Sequence, residues 1–430
     1  MKPTDPPVSR HRKAKGRLGI GFSTGTAVTA AAKAAMRHLF SENSPTVVSV
    51  RLPAGYFLPI PILECRKNGT AARATVVKDA GDDPDITHKA ELTVRVTCLR
   101  SERFDPLVHS ANPPPDGRRT PGGVWLLAGE GVGIVTKAGL PVPAGEPAVN
   151  PVPRRMILEG VTEELLGVSA DTIDRASSLG DTLSLSQGSN GCVFLPFCAA
   201  DPRLADVTVC LEISIPRGKE LAQRTLNPRL GIVGGISVLG TTGLVKPYSH
   251  EAYQETIRAS LAVAASNCCR TVVLSTGGRS ERYARKALPL LPVESFVQIA
   301  DFFAFAVKEA AGMDFEEIVH SVFFGKAVKM AHGHANTHAH KVSMDLSLLA
   351  RLARDHGYDP DFSRQLEEAN TARHALEILR SRQAWDLVRA VAVQARKQSG
   401  KACRPGARVR LLLFDHDGSL LADVREEGEK

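Results

Sequence analysis

Two patterns of apolar and polar positions divide this chain. Up to about residue 228, short apolar stretches alternate with polar residues and are separated by turn-forming residues. TVVSVRLPAGYFLPIPI and AARATVVKDA are Val- and Ile-rich and predict strands, and Asn68-Gly69 between them is a hairpin signal. ELTVRVTCL (91–99) alternates as a half-buried strand does, residues 101–123 predict a loop, and VWLLAG, VGIVT and VTVCLEISI (207–215) predict further strands. Helices are expected in only two places. One is the Ala-rich run Thr26–Phe40, with Ser23, Thr24 and Thr26 as candidate N-caps, and the other is Pro153–Leu166, after a Pro-rich stretch. Many strands with few helices make this half an α+β domain.

From residue 229 the pattern changes. GIVGGISVLGTTG, RTVVLSTGGRS and FVQIAD each predict a strand ending in a turn. Helices are expected after them at Ser249–Ala265, Ser280–Leu288 and 302–312. EEIVHSVFFGKAVKMAHG fits strand or helix, 345–400 is mainly helical, and RVRLLLFDHDGSLLADV predicts a closing hairpin turning at Asp-Gly. Strand–helix alternation predicts an α/β, Rossmann-like domain with a mostly parallel sheet and C-terminal helices. The expected division is a disordered basic tail (1–16), an α+β domain (17–228) and the α/β domain (229–430).

Composition narrows the class. The 430 residues are 43% hydrophobic and 23% charged, enough for sizeable cores in two or three domains. No apolar run reaches the ~18 residues of a membrane span, and the basic start is not followed by a leader-like apolar segment, so a cytoplasmic protein is expected. Eight cysteines without a C-x-x-C pair predict free thiols. A net charge of +8 favours an anionic partner, either nucleic acid or a small polycarboxylate or phosphorylated molecule. The few aromatics (5 Tyr, 2 Trp, 15 Phe) are not interleaved with basic residues, which speaks against a nucleic-acid-binding module.

Four motifs could carry chemistry. Gly19-x-Gly21-x-x-x-Gly25-Thr26 opens a helix, where free amides and hydroxyls suit an anion; a tight turn is the plainer reading. KDAGDDPDITH sets Asp79, Asp82, Asp83 and Asp85 in one turn, suited to a base or a hard cation, or else a solvated Asx turn. Gly240-Thr241-Thr242-Gly243 and Ser275-Thr276-Gly277-Gly278 are expected at carboxyl ends of strands, where open α/β sheets bind ligands, with Asp301 ending a third strand. HGHANTHAH holds His332, His334, His338 and His340, but its Gly and Asn make a regular metal-binding helix doubtful.

Together these blocks resemble the cobalt-precorrin-5B C1-methyltransferase family, CbiD, from about residue 17 to 345. GFSTGTAVTAAAKAA is similar to the family's Gly-Thr-rich opening, VVKDAGDDPDITHKAE to its acidic signature, and GEGVGIVTKAGLPVPAGEPAVNPVPRRMI and RTLNPRLGIVGGISVLGTTGLVKP to its central stretches. GKAVKMAHGHANTHAH resembles its late segment; Ala27 stands where the family usually has Cys.

The resemblance implies a methyltransferase with S-adenosylmethionine as co-substrate and an anionic tetrapyrrole as substrate. Cobalt is then part of the substrate, and no protein-held metal, nucleic acid or membrane is involved; homo-oligomerisation stays open. It further implies that Asp79, Asp82, Asp83 or Asp85 orients the ring or acts as base. Ser23, Thr24, Gly25, Thr26, Lys78, Arg154, Arg155, Asn336, Thr337 and His338 would contact substrate. Gly240, Thr241, Thr242, Gly243, Gly277, Gly278 and Asp301 would form the donor site. The rival enzyme reading is a small-molecule kinase, because the Gly/Ser-rich opening and Ala-rich helix also resemble the galactokinase–homoserine kinase type.

Overall fold

The structure is a computed structural model, describing residues 18–100, 122–167, 191–197, 202–205, 207–333, 345–401, 403 and 407–425. The tail 1–16 and most of the 101–123 loop lie outside the described residues. The chain divides into two units: Met1–Val135, Gly145–Asn227 and Ile232–Tyr248 form the first, and Thr136–Ala144, Pro228–Gly231 and Ser249–Lys430 the second.

In the first unit, strand β1 (Gly21–Phe22) leads into helix α1 (Thr24–Phe40). Strands β2 (Val47–Arg51), β3 (Phe57–Pro61), β4 (Glu64–Asn68), β5 (Ala71–Val77), β6 (Glu91–Arg100), β7 (Gly123–Ala128) and β8 (Ile134–Val135) follow. Helix α2 (Pro151–Leu166), strands β9 (Cys192–Pro196) and β10 (Val207–Ser214), the short α3 (Gly218–Ala222), β11 (Ile232–Val233) and β12 (Leu244–Val245) complete it. Six strands form one sheet in the order β4-β5-β6-β10-β7-β9, antiparallel except for β10 against β7. Leu92, Val94, Val96 and Cys98 on β6 turn one face inward. Helix α1 lies on β5 and β6 and against α2, and the alanines from Ala27 to Ala35 let it approach closely. It is buried on nearly every side, as a helix apolar all round must be.

The second unit comprises α4 (His250–Ser266), β13 (Thr271–Ser275), α5 (Gly278–Ala287), β14 (Phe296–Gln298), α6 (Phe303–Ala311), β15 (Glu317–Phe323) and α7 (Phe324–Ala331). Then come α8 (Ser347–Asp355), α9 (Pro360–Glu367), α10 (Ala372–Ser381), α11 (Trp385–Gly400), β16 (Arg408–Phe414) and β17 (Leu420–Val424). The sheet order is β14-β13-β15-β16-β17; the first four strands are parallel and β17 is antiparallel. Its core joins the apolar strands to the faces of α4, α6, α7 and the C-terminal helices. Among the described residues no helix is long and apolar enough to cross a membrane.

Two expectations need correction, and two others are made more specific. GIVGGISVLGTTG does not enter the parallel sheet: Ile232–Val233 pairs with β8, and Leu244–Val245 pairs with β1. Residues 232–248 therefore belong to the first unit, and the two-domain boundary expected at residue 229 lies after Tyr248. The ambiguous stretch after 316 is both things in turn, strand β15 and then helix α7. The closing segment does turn at Asp417-Gly418, but β16 is an inner strand, parallel to β15 over seven residue pairs.

Candidate functional site

The Gly-rich opening, the acidic turn and the 237–248 segment converge at one place in the first unit. Phe22 N–H donates to the Asp79 carbonyl (2.8 Å), and Gly19 N–H donates to Asp82 Oδ2 (2.6 Å). A Cβ on Gly21 would lie 2.3 Å from the backbone of Asp79 and Ala80, so only glycine allows this crossing. From the other side, Ser23 N–H donates to the Gly243 carbonyl (2.9 Å) and Gly25 N–H to the Leu239 carbonyl (3.0 Å). Thr24 Oγ1 accepts from Leu239 N–H (2.8 Å), and Thr26 Oγ1 donates to the Gly243 carbonyl (2.7 Å).

This corrects the anion-cradle expectation. Ser23, Thr24, Gly25 and Thr26 are buried, and the hydrogen bonds they make here go to the protein itself. The same contacts correct the expected setting of Gly240, Thr241, Thr242 and Gly243 at the carboxyl end of a parallel-sheet strand. No strand of the parallel sheet precedes them, and Gly240 (φ +134°) sits where a Cβ would come within 2.3 Å of Ser23.

The four aspartates have different surroundings. Asp85 lies against the buried Lys78 ammonium and accepts from Thr87 N–H (2.7 Å) and Thr87 Oγ1 (2.6 Å). Burial pushes its carboxyl upward, but the Lys78 charge and these bonds outweigh that and hold it below the usual carboxylate range. Lys78 also donates to Thr87 Oγ1 (2.6 Å), so it serves this internal cluster rather than an open anion site. Asp83 accepts from Tyr248 N–H (3.0 Å), and Asp82 is tied to Gly19. Asp79 accepts from Gly81 N–H (2.8 Å), yet its side chain is 66% exposed. His88 Nδ1 lies 3.8 Å from it and accepts from Ala80 N–H (3.1 Å), which leaves Nε2 to carry the proton of the neutral ring. His88 was missed in the sequence, although it closes the acidic motif. Leu18, Ile20, Leu239 and Tyr248, which flank or carry these bonds, are all about half exposed or more.

Arg154 is a latch: its Nε donates to the Val149 carbonyl (2.7 Å), and it pairs with Glu146 (2.7 Å). These contacts engage part of its guanidinium with the chain's own carbonyl and carboxylate groups. Arg155 is exposed, with a loose contact to Glu159 (3.9 Å). Asn336, Thr337 and His338, and with them His334 and His340, lie outside the described residues; His332 Nε2 lies 2.9 Å from the Asp345 carbonyl.

In the second unit, Gly277 and Gly278 follow β13, and a Cβ at Gly277 would meet nothing within 4 Å. Asp301 follows β14 and pairs with Lys326 at the start of α7. Ala300 immediately before it holds φ +45°, a left-handed conformation unusual for a residue with a side chain. In sheet order the second strand in sequence precedes the first, and the third and fourth follow. Connections therefore diverge between the carboxyl ends of β13 and β15, the place where open α/β sheets leave a crevice.

Comparisons with known proteins agree along the chain. The family model described as CbiD matches residues 10–176 and 198–247, and that described as CbiD, C-terminal domain, matches 336–425. A protein of Nitratidesulfovibrio vulgaris named cobalt-precorrin-5B C(1)-methyltransferase is 39% identical over 428 residues, 98% of this chain and 96% of that one. One of the same name from Thermus thermophilus is 38% identical over 84% of this chain and 81% of its own. The crystal structure of cobalamin biosynthesis protein cbiD from Archaeoglobus fulgidus is similar at 21% identity, with 85% of each chain covered and a TM-score of 0.33.

Proposed function

The chain belongs to the CbiD family, and from that membership we propose that it methylates C-1 of cobalt-precorrin-5B. The product is cobalt-precorrin-6A, in the anaerobic, early-cobalt route to cobalamin. The observation that carries this reading is agreement over nearly the whole length of both chains with relatives bearing that activity in their names. The protein is a methyltransferase with a tetrapyrrole substrate. Cobalt belongs to that substrate, and the reaction is cytoplasmic.

S-adenosylmethionine supplies the methyl group, carried on a sulfonium. Charge is neutralised as the methyl moves, so the protein's main tasks are alignment and water exclusion. In the first unit, Asp79 is the carboxylate suited to hold or accept a proton, being 66% exposed while Asp82, Asp83 and Asp85 are committed to neighbours. The exposed Leu18, Ile20, Leu239 and Tyr248 suit the face of a large ring. Arg155 is the surface cation retained for ring carboxylates.

For the donor, the second unit is read as Rossmann-like. Support comes from the parallel order of its sheet, the open space at Gly277 and Gly278, and Asp301 on its strained backbone. Asp301 would accept hydrogen bonds from ribose hydroxyls. No observation favours the kinase, whose phosphate cradle would need the Ser23–Thr26 groups that are buried here.

The test is incubation of purified protein with S-adenosylmethionine and cobalt-precorrin-5B, read by mass spectrometry. One added methyl at C-1 with matching S-adenosylhomocysteine is expected; a folded protein that adds none would refute the proposal. In parallel, Asp301→Ala should weaken S-adenosylhomocysteine binding by about tenfold in calorimetry. Unchanged affinity would remove Asp301 from the donor site.

A further inference from the structure

Away from both regions, the first unit holds a cavity of about 370 Å³ where the β2–β3 hairpin meets helices α1 and α2. Its volume suits a small molecule or one arm of a larger one. Lys33 lines it with its side chain only 2% exposed, its Nζ lying 2.5 Å from Glu163 and 3.6 Å from Glu164. Gly160 makes that placement possible. Glycine inside a helix costs about 1 kcal/mol, but a Cβ here would press on the Lys33 stem at 3.0 and 3.1 Å.

The charged groups lining the cavity are not all paired with one another. Lys33 and Arg51 stand beside Glu159 and Glu163 in its wall. Glu163 and Glu164 serve Lys33 and Arg37, and Glu159 lies near Arg155. Arg51 is left: exposed on the rim, it has no carboxylate partner among the described residues. Beside it stands the Phe57 ring, 56% exposed, with the buried Met156 thioether also lining the cavity. A guanidinium fork next to apolar walls matches a carboxylate carried on a short hydrocarbon arm.

We infer that this cavity is a binding site for a short-chain organic carboxylate, held by Arg51 over the Lys33–Glu163 pair with its hydrocarbon against Phe57 and Met156. Glu163, with its side chain 55% exposed, is free to swing aside and leave the Lys33 charge to the ligand. An acetate or propionate arm of a tetrapyrrole has this chemistry. That identification rests on the function proposed above, whereas the carboxylate site itself does not.

The chain contains six methionines, so labelling with 13C-methyl methionine gives a sparse NMR spectrum in which Met156→Leu identifies the reporter. Full-length protein is titrated at constant ionic strength with glutarate and with its neutral analogue glutaramide. Glutarate should shift the Met156 signal saturably while those of the buried Met36 and Met330 stay in place. Glutaramide on the wild-type protein, and glutarate on Arg51→Ala, should each need about tenfold more ligand. An unmoved Met156 signal, an equal response to glutaramide, or unchanged binding in Arg51→Ala would overturn the inference. Arg51 is an exposed hairpin residue, so its removal does not threaten folding. The readout is independent of methyl transfer, so failure of this site and failure of the proposed activity are told apart.

Discussion

At the residue scale, the acidic turn shows how far side-chain type can be read and where it stops. Four aspartates in seven residues mark the motif, but sequence leaves them equivalent. Contacts with Lys78, Thr87, Tyr248 and Gly19 separate them, and those partners come from as far as residue 248. Lys78→Met should lower stability by about 3 kcal/mol in urea unfolding, because it leaves the half-buried Asp85 without its counter-ion. Asp85 also makes a pH prediction. Its folded-state pKa is depressed, so its stabilisation is complete above the unfolded value near 3.8 and is lost as pH falls through the lower folded value. Asp85→Asn should therefore flatten the acid limb of a stability–pH curve measured by thermal unfolding. An unchanged limb would show that Asp85 does not contribute to it.

At the element scale, helix α1 was legible from its alanines and its cap. Ser23 accepts from Thr26 N–H (3.2 Å), and Ser23→Ala should cost about 1 kcal/mol in chemical denaturation. Ala31→Leu should cost about 2 kcal/mol by the same measurement, since Ala31 is wholly buried in the close helix–sheet contact. What the helix start binds was not legible. Its Ser23 and Gly25 amides and its Thr26 hydroxyl bond to carbonyls more than 200 residues away, and local pattern carries no information about such partners. The same limit explains β16. Its Asp-Gly turn signals a hairpin, while its pairing with β15 depends on a strand some ninety residues earlier.

At the scale of the whole molecule, the two units are not two consecutive lengths of chain. Thr136–Ala144 and Pro228–Gly231 belong to the second unit although first-unit residues surround them in sequence. They bring Lys137 to Glu294 and Arg229 to Glu281, two carboxylates that are 11% and 8% exposed. Residues 249–430 expressed alone should therefore be less stable than the same unit in the full chain by about 3 kcal/mol or more, because both carboxylates lose a partner. Equal thermal midpoints for fragment and full chain would contradict this. The family, the change of pattern between the halves, most helices and strands, and the acidic motif were determined by sequence alone, because propensity, periodicity and ordered motifs are local properties. The boundary after Tyr248, the burial of Ser23–Thr26, the distinct surroundings of the four aspartates and the cavity beside Arg51 were decided only by tertiary structure, because each depends on which distant segments supply the hydrogen bonds, charges and walls.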